Sequence, residues 1–282
     1  MNRLFCIVFV GVLSALALEI GAKTNLKIVS FNVRYDSGTD GENNWDNRKE
    51  NLVGYINRIK ADVVCLQEVL YRQQVFIAQA MPGYGDVGVG TYDGGKGGES
   101  EPIFYNKKKF KLVDFGHFWL SETPNIVGSL GWGDKHPHMV TWVKLKANNG
   151  KLFYVLNTHF DWSSSNVRQK SAQLVMRWIK DNINDEPFIV AGDFNSYPES
   201  DTYKTMSCYD IAKDSYTAAS KRKGVCYSFH DFGRIPEEKR KILDYIFVRN
   251  DIKVKKVEIV KEQVRNGSFL SDHNPLIANI SF

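Results

Sequence analysis

Phe188-Ile189-Val190-Ala191-Gly192-Asp193-Phe194-Asn195-Ser196 holds four apolar residues and then delivers an acid and an amide. A short apolar run bounded by turn residues reads as a buried strand. Asp and Asn also favour turns, so the segment alone says little about chemistry. Five other segments repeat its pattern. They are Ser30-Phe31-Asn32-Val33, Leu66-Gln67-Glu68-Val69, Asn157-Thr158-His159-Phe160-Asp161, Leu243-Asp244-Tyr245 and Ser271-Asp272-His273-Asn274-Pro275. In each, Asn, Glu, His or Asp stands at or just beyond an apolar run. Six such ends placed side by side make a polar cleft on a rigid scaffold.

Outward from these ends, short β-rich runs alternate with helical ones. Strands are expected at 26–33, 62–66, 102–105, 111–120, 139–146, 151–158, 188–191, 241–248, 254–260 and 275–280. A helix capped by Asp46 carries Leu52, Val53, Ile56 and Ile59 on one face. Helices are also expected at 71–80, ending before Pro82-Gly83, and at 168–181, with Leu174, Val175, Trp178 and Ile179 facing a sheet. The strands at 139–146 and 151–158, joined through Asn148-Asn149-Gly150, read as a hairpin. The sheets are therefore mixed rather than wholly parallel. No linker or repeat divides the chain, so the reading is one α/β domain of two packed sheets flanked by helices.

The chain has 282 residues, 43% of them hydrophobic and 24% charged, with a net charge of +5. These are globular proportions. The basic residues are scattered rather than striped, which does not mark a nucleic-acid binder. Lys107-Lys108-Lys109 and Lys221-Arg222-Lys223 read as solvated hairpin tips. Residues 1–22 begin with Arg3, continue in an apolar run over 4–18 and end in Gly21-Ala22. This is the pattern of a secretory signal, leaving 23–282 as the folded domain in a secreted or periplasmic setting. The apolar run is short for a bilayer span, and the rest of the chain holds no 18-residue apolar run. Cys208 and Cys226 either pair or stay free, and Cys65 is a buried strand residue. The glycine-rich stretch 83–98 lacks the sequence of a phosphate cradle and reads as a mobile surface loop.

Carboxylates with Asn and no Cys/His cluster favour a hard cation, Mg²⁺ with Mn²⁺ or Ca²⁺ as alternatives, over structural zinc. Two His with acidic neighbours supply a base and a cationic donor. That inventory suits attack of water on a phosphate ester.

As an ordered set, SFNV, LQEV, NTHFD, AGDFNS, LDYIFV and SDHNP resemble the endonuclease/exonuclease/phosphatase superfamily, with its DNase I-like fold. The resemblance runs from Ser30 to Pro275. It implies a four-layered α/β sandwich, with two mixed β-sheets packed face to face and flanked by helices. It implies that Glu68, Asn32 and Asp272 hold the metal. Asp193 and Asn195 would orient water and phosphate. His273 would be the catalytic imidazole, with Asp244 fixing its tautomer, and His159 the second imidazole, with Asp161 orienting it or the substrate. His138 stands where secreted relatives usually carry an Arg that clamps a phosphate oxygen. For substrate binding, Asn195 and His138 are joined by Trp132 and Arg48, an aromatic and a cation on two loops that suit a base or sugar. Trp45 is read as stapling the helix that follows it. The expected substrate is a small phosphodiester, a phosphorylated metabolite or a nucleic acid. A hydrolase of small esters is the first reading, a nuclease the second, and an inactive binding protein on the same fold the third.

Overall fold

The computed structural model describes residues 23–208, 210–261, 264–265 and 268–282, so the expected leader at 1–22 lies outside it. Thirteen strands of three residues or more form two sheets. They are β1 (Asn25–Asn32), β2 (Val63–Gln67), β3 (Tyr84–Val87), β4 (Ile103–Asn106), β5 (Phe110–Trp119), β6 (Met139–Ala147) and β7 (Leu152–His159). β8 (Phe188–Asp193), β9 (Ala212–Asp214), β10 (Arg222–Gly224), β11 (Asp244–Arg249), β12 (Lys253–Ile259) and β13 (Leu276–Ser281) complete them. The first sheet runs β10-β12-β13-β1-β2-β4-β3 and the second β9-β11-β8-β7-β6-β5. Both are mixed: β1/β2 and β7/β8 are parallel, whereas β1/β13 and β8/β11 are antiparallel.

Parallel neighbours need a long crossover, and two helices supply it. α1 (Trp45–Ile59) returns the chain from β1 to β2, and α3 (Ser165–Asn182) returns it from β7 to β8; α2 (Tyr71–Ala80) and α4 (Asp201–Met206) are shorter. Residues from both sheets, among them Ile28, Val63, Val143, Val155 and Ile189, share one central cluster. α1 and α2 cover the outer face of the first sheet through Leu52, Ile56 and Ile77. α3 and α4 cover the second through Val175, Ile179 and Met206. The result is helix, sheet, sheet, helix, the four layers expected. Each wholly buried aliphatic here contributes roughly 1.5–3 kcal/mol relative to exposure.

Several local expectations change. The cap of α1 is Asn44, whose side chain accepts from Asn47 N at 3.0 Å, two residues before Asp46. Lys107, Lys108 and Lys109 join β4 of one sheet to β5 of the other, so they are a crossover turn and not a hairpin tip. Lys109 is anchored to Asp62 at 2.6 Å. The glycine-rich stretch starts with strand β3 and continues as a bonded turn: Asp93 Oδ1 accepts from Gly95 N and Gly97 N, and Thr91 N donates to Glu99 O. Its backbone is hydrogen-bonded at several points, within the surface loop expected. Cys65, Cys208 and Cys226 are free thiols.

The topology collects chemistry at one edge. β1, β2, β7 and β8 arrive there by their C-terminal ends. Their antiparallel partners β11 and β13 leave from there by their N-terminal ends. Open α/β sheets bind ligands at such an edge, where strand directions switch.

Candidate active site

Register alone sets three functional residues in a row across the second sheet: His159 pairs with Asp193, and Asp193 with Asp244. Side chains at these strand ends then bridge the two stacked sheets. Asn32 Nδ2 donates to Glu68 Oε1 at 2.8 Å and lies 3.1 Å from Asp193 Oδ2. Asn32 Oδ1 accepts from Arg34 N at 2.9 Å, so this side chain clamps two carboxylates with its nitrogen end. Glu68 Oε2 accepts from Tyr35 N at 3.1 Å. Below this level, Gln67 Nε2 donates to Asn157 Oδ1 at 2.6 Å, a second polar tie between the sheets. Glu68 has φ 60° and Asn195 φ 46°. Left-handed backbone at a non-glycine residue costs on the order of 1–3 kcal/mol and clusters at functional sites.

His273 lies between two carboxylates. Its Nδ1 is 2.8 Å from Asp244 Oδ2 and its Nε2 is 3.5 Å from Asp193 Oδ2. His159 Nε2 is 3.7 Å from the same Asp193 oxygen and 3.1 Å from Asn195 Nδ2. Asp193 Oδ2 is thus common to both imidazoles. Burial lowers the pKa of His273, but Asp244 and Asp193 outweigh it and raise it well above the usual histidine range. Burial likewise opposes the charge on His159, while Glu99, Asp193 and Glu68 push it up to about 10. Glu68 is raised by burial, yet His159, the Asn32 hydrogen bond and His273 hold it below the usual carboxylate range. Asp272 goes up to about 6, through burial first and the Glu68 charge among its neighbours.

Two carboxylates here were not foreseen. Glu99 Oε2 lies 3.8 Å from His159 Nδ1. Glu101 is buried, its Oε2 has no partner, and burial raises its carboxyl to about 8. Both stand at the N-terminal side of β4, which runs antiparallel to β2. The pattern that found the other residues looked for acids after a strand; these come before one. Arg34 was also missed; its guanidinium spans Asp40 at 3.1 Å, Glu68 at 3.8 Å and Asp272 at 4.0 Å.

Arg48 corrects an expectation. It is wholly buried, and its guanidinium donates to the carbonyls of Asn43, Val33, Leu270 and Arg34. It braces the loops beneath the site and has no face toward a substrate. Arg48→Met strands these four carbonyls and is expected to lower unfolding free energy by at least about 3 kcal/mol, read from denaturant midpoints. Trp45 does not precede the helix it was expected to staple: it is the first residue of α1, and it is buried against Phe76 of α2, so it ties two helices together. Trp132 is half-buried against the cluster between the second sheet and its helices. Among the described residues no contact ties it to either imidazole.

His138 does reach the site: its ring meets the His159 ring edge-on at 5.6 Å. Its Nε2 is 3.5 Å from Asp134 Oδ2. Burial and the His159 charge push it down to about 3. A neutral histidine in the fold that is protonated in the unfolded chain makes unfolding easier as pH falls. His138 therefore withdraws stability between about pH 6.5 and 3. His138→Gln is expected to show a smaller Tm loss between pH 7 and pH 4.5 than the native protein does.

Six carboxylates (Glu68, Asp193, Asp244, Asp272, Glu99 and Glu101) face two imidazoles and one guanidinium. Asp244 Oδ1 is also buried without a partner. This excess of acidic oxygen donors fits a hard divalent cation. Donor atoms of Asp193, Asp244 and His273 lie within 4.8 Å of one another, as do those of Asp134, His138 and Asp161. Asp161 accepts from Ser163 N at 3.1 Å and also from Ser164 N, which fixes the turn beside His159.

A four-layered sandwich with paired carboxylate–imidazole units at the joined strand ends defines a metal-dependent hydrolase of phosphate esters. Residues 29–273 match the endonuclease/exonuclease/phosphatase family model, and the chain belongs to that family. Its fold superposes on the endonuclease/exonuclease/phosphatase of Bacteroides vulgatus with a TM-score of 0.88 and 40% identity, covering 91% of this chain and 98% of that one. It also superposes on the mannosyl-6-phosphatase of Bacteroides thetaiotaomicron with a TM-score of 0.85 and 30% identity, covering 91% of this chain and all of that one (100%). In sequence it is 24% identical to the CCR4-Not complex 3'-5'-exoribonuclease subunit Ccr4 of Candida glabrata, over a gapped alignment of 292 positions that covers 84% of this chain. It spans only 33% of that relative's length.

Proposed function

We propose that this protein is an exported phosphatase or phosphodiesterase that hydrolyses small phosphate esters by direct attack of water. The observation that carries the reading is Asp193 Oδ2 standing between two imidazoles, 3.5 Å from His273 Nε2 and 3.7 Å from His159 Nε2. In such an arrangement Asp193 takes the proton of the attacking water. His273, held in orientation by Asp244, offsets charge on the pentavalent phosphorus. His159, backed by Glu99, supports the leaving oxygen, and Asn195 orients the phosphate. Hydrogen bonds and charges aimed at developing charge are typically the largest catalytic contribution.

Glu68 and Asp272 would hold the metal, and their oxygen donors favour Mg²⁺; Asn32, expected as a third holder, turns its nitrogen to Glu68 and has its oxygen engaged by Arg34 N, so it steadies Glu68 instead. When bound, a divalent cation supplies Lewis-acid stabilisation of the phosphate oxygens. The similarity to a mannosyl-6-phosphatase supports a monoester over a polymer. So does the absence of a basic stripe from the sequence. Export is proposed on the signal-like pattern of residues 1–22.

Phosphate release from small mono- and diesters with Mg²⁺, then with EDTA, tests the reading, beside plasmid and RNA cleavage under identical conditions. Metal-dependent release from the small esters is expected. Cleavage of nucleic acid alone would replace it with the nuclease reading, and no hydrolysis of either with the inactive binding scaffold.

A further inference from the structure

A cavity of about 540 Å³ opens beside Asn195, between the start of α3 and the loop leading into α4. Asn195 is the link to the chemistry, because its Nδ2 is 3.1 Å from His159 Nε2. Asn195 thus belongs both to the reaction centre and to the lining of this cavity. Its volume falls in the range of small-ligand sites.

Two aromatic rings line it. Trp162 is 73% exposed and Tyr197 53%. Among the described residues Trp162 is the most exposed of the large apolar side chains, and it follows directly on Asp161, whose carboxylate fixes that turn. Tyr197 O accepts from Ser200 N at 3.0 Å and from Ser200 Oγ at 2.7 Å, so its segment is fixed as well. Bare aromatic faces on pinned turns beside a reaction centre mark a binding surface.

The remaining lining is polar and carries little charge. Asn166, Gln169 and Ser200 offer amides and a hydroxyl. Ser196 is buried in the wall, and its hydroxyl has no partner. The charged lining residues are Arg168, which donates to Asp161 O at 3.1 Å, and Asp201. One cation and one anion cancel, so the cavity lacks the row of positive charge that a nucleic-acid strand needs. Aromatic faces beside amides, hydroxyls and a carboxylate suit a ring that is apolar on its faces and rich in hydroxyls at its rim.

We propose that this cavity is the leaving-group subsite and that it takes the uncharged ring of a sugar phosphate. The proposal rests on the phosphoester-hydrolase reading above. Its test compares the metal-loaded full-length protein with Trp162→Ala and Tyr197→Ala on hexose 6-phosphate, the acyclic ester glycerol 2-phosphate, a nucleoside 5'-monophosphate and single-stranded RNA. The native protein is expected to favour hexose 6-phosphate over glycerol 2-phosphate in kcat/KM by at least about 10-fold, the scale of one aromatic face. Each variant is expected to bring that ratio close to one, chiefly through KM. Trp162 is exposed, so the substitution leaves the core intact, and circular dichroism confirms folding. An unaltered ratio, equal loss on both esters, or a preference for the nucleotide or RNA that disappears with Trp162 overturns the sugar subsite alone. No hydrolysis of any ester by the native protein overturns the reading beneath it as well.

Discussion

Replacing His273 with Gln is expected to lower kcat by about 10³-fold, the scale on which one acid–base or charge-stabilising group acts. Asp244 and Asp193 together outweigh the burial of the native imidazole and favour its charged form. Gln retains a hydrogen-bonding group near Asp244 but brings no charge to the Asp193 side, where we place the phosphorus. KM should change little, since the lost interaction is made mainly in the transition state. Asp244→Asn should reproduce most of the loss, because Asp244 Oδ2 at 2.8 Å fixes which ring nitrogen faces the reaction. The two losses should not add, as the pair works as one unit. Steady-state kinetics of both single variants and the double variant check this. A kcat within tenfold of the native value for His273→Gln would remove the imidazole from the reaction.

Glu68→Gln is expected to act on the metal. Loss of one anionic oxygen from a site built for a hard cation should move the Mg²⁺ activation midpoint up by at least about 10–100-fold, the range seen even for outlying metal-site partners. At fixed Mg²⁺, turnover should drop by roughly the same factor or more. Stability should change far less. Glu68 is a buried carboxylate, and removing its charge also removes its desolvation cost, which offsets the lost bonds to Asn32 and Tyr35. Metal titrations of activity paired with thermal melts separate the two effects. If Glu68→Gln keeps native metal dependence, the cation is held elsewhere, and the cluster of Asp193, Asp244 and His273 becomes the next place to look.

The architecture was largely legible in the sequence. Strand and helix patterns depend on neighbours two to four residues away, and these are local. The helix expected at 71–80 forms over Tyr71–Ala80. β6 and β7 formed the expected hairpin, with Gly150 at φ 85°. The cap of α1 was misplaced because Asn44 and Asp46 are equally good caps in isolation; only the backbone at Asn44 leaves its side chain free to meet Asn47 N.

The sequence by itself determined which residue types stand at six strand ends, because apolar runs and turn chemistry are written into short segments. Only the tertiary structure decided what those ends meet. Asn32 reaches Asp193 across 161 positions of chain, a contact set by how one sheet lies over the other. The same stacking sends Arg48 inward to four carbonyls rather than out to a substrate. Antiparallel pairing of β4 brings in Glu99 and Glu101 from the front of a strand rather than its end. Polar convergence at long range depends on register and packing, and neither has a local signature in the chain.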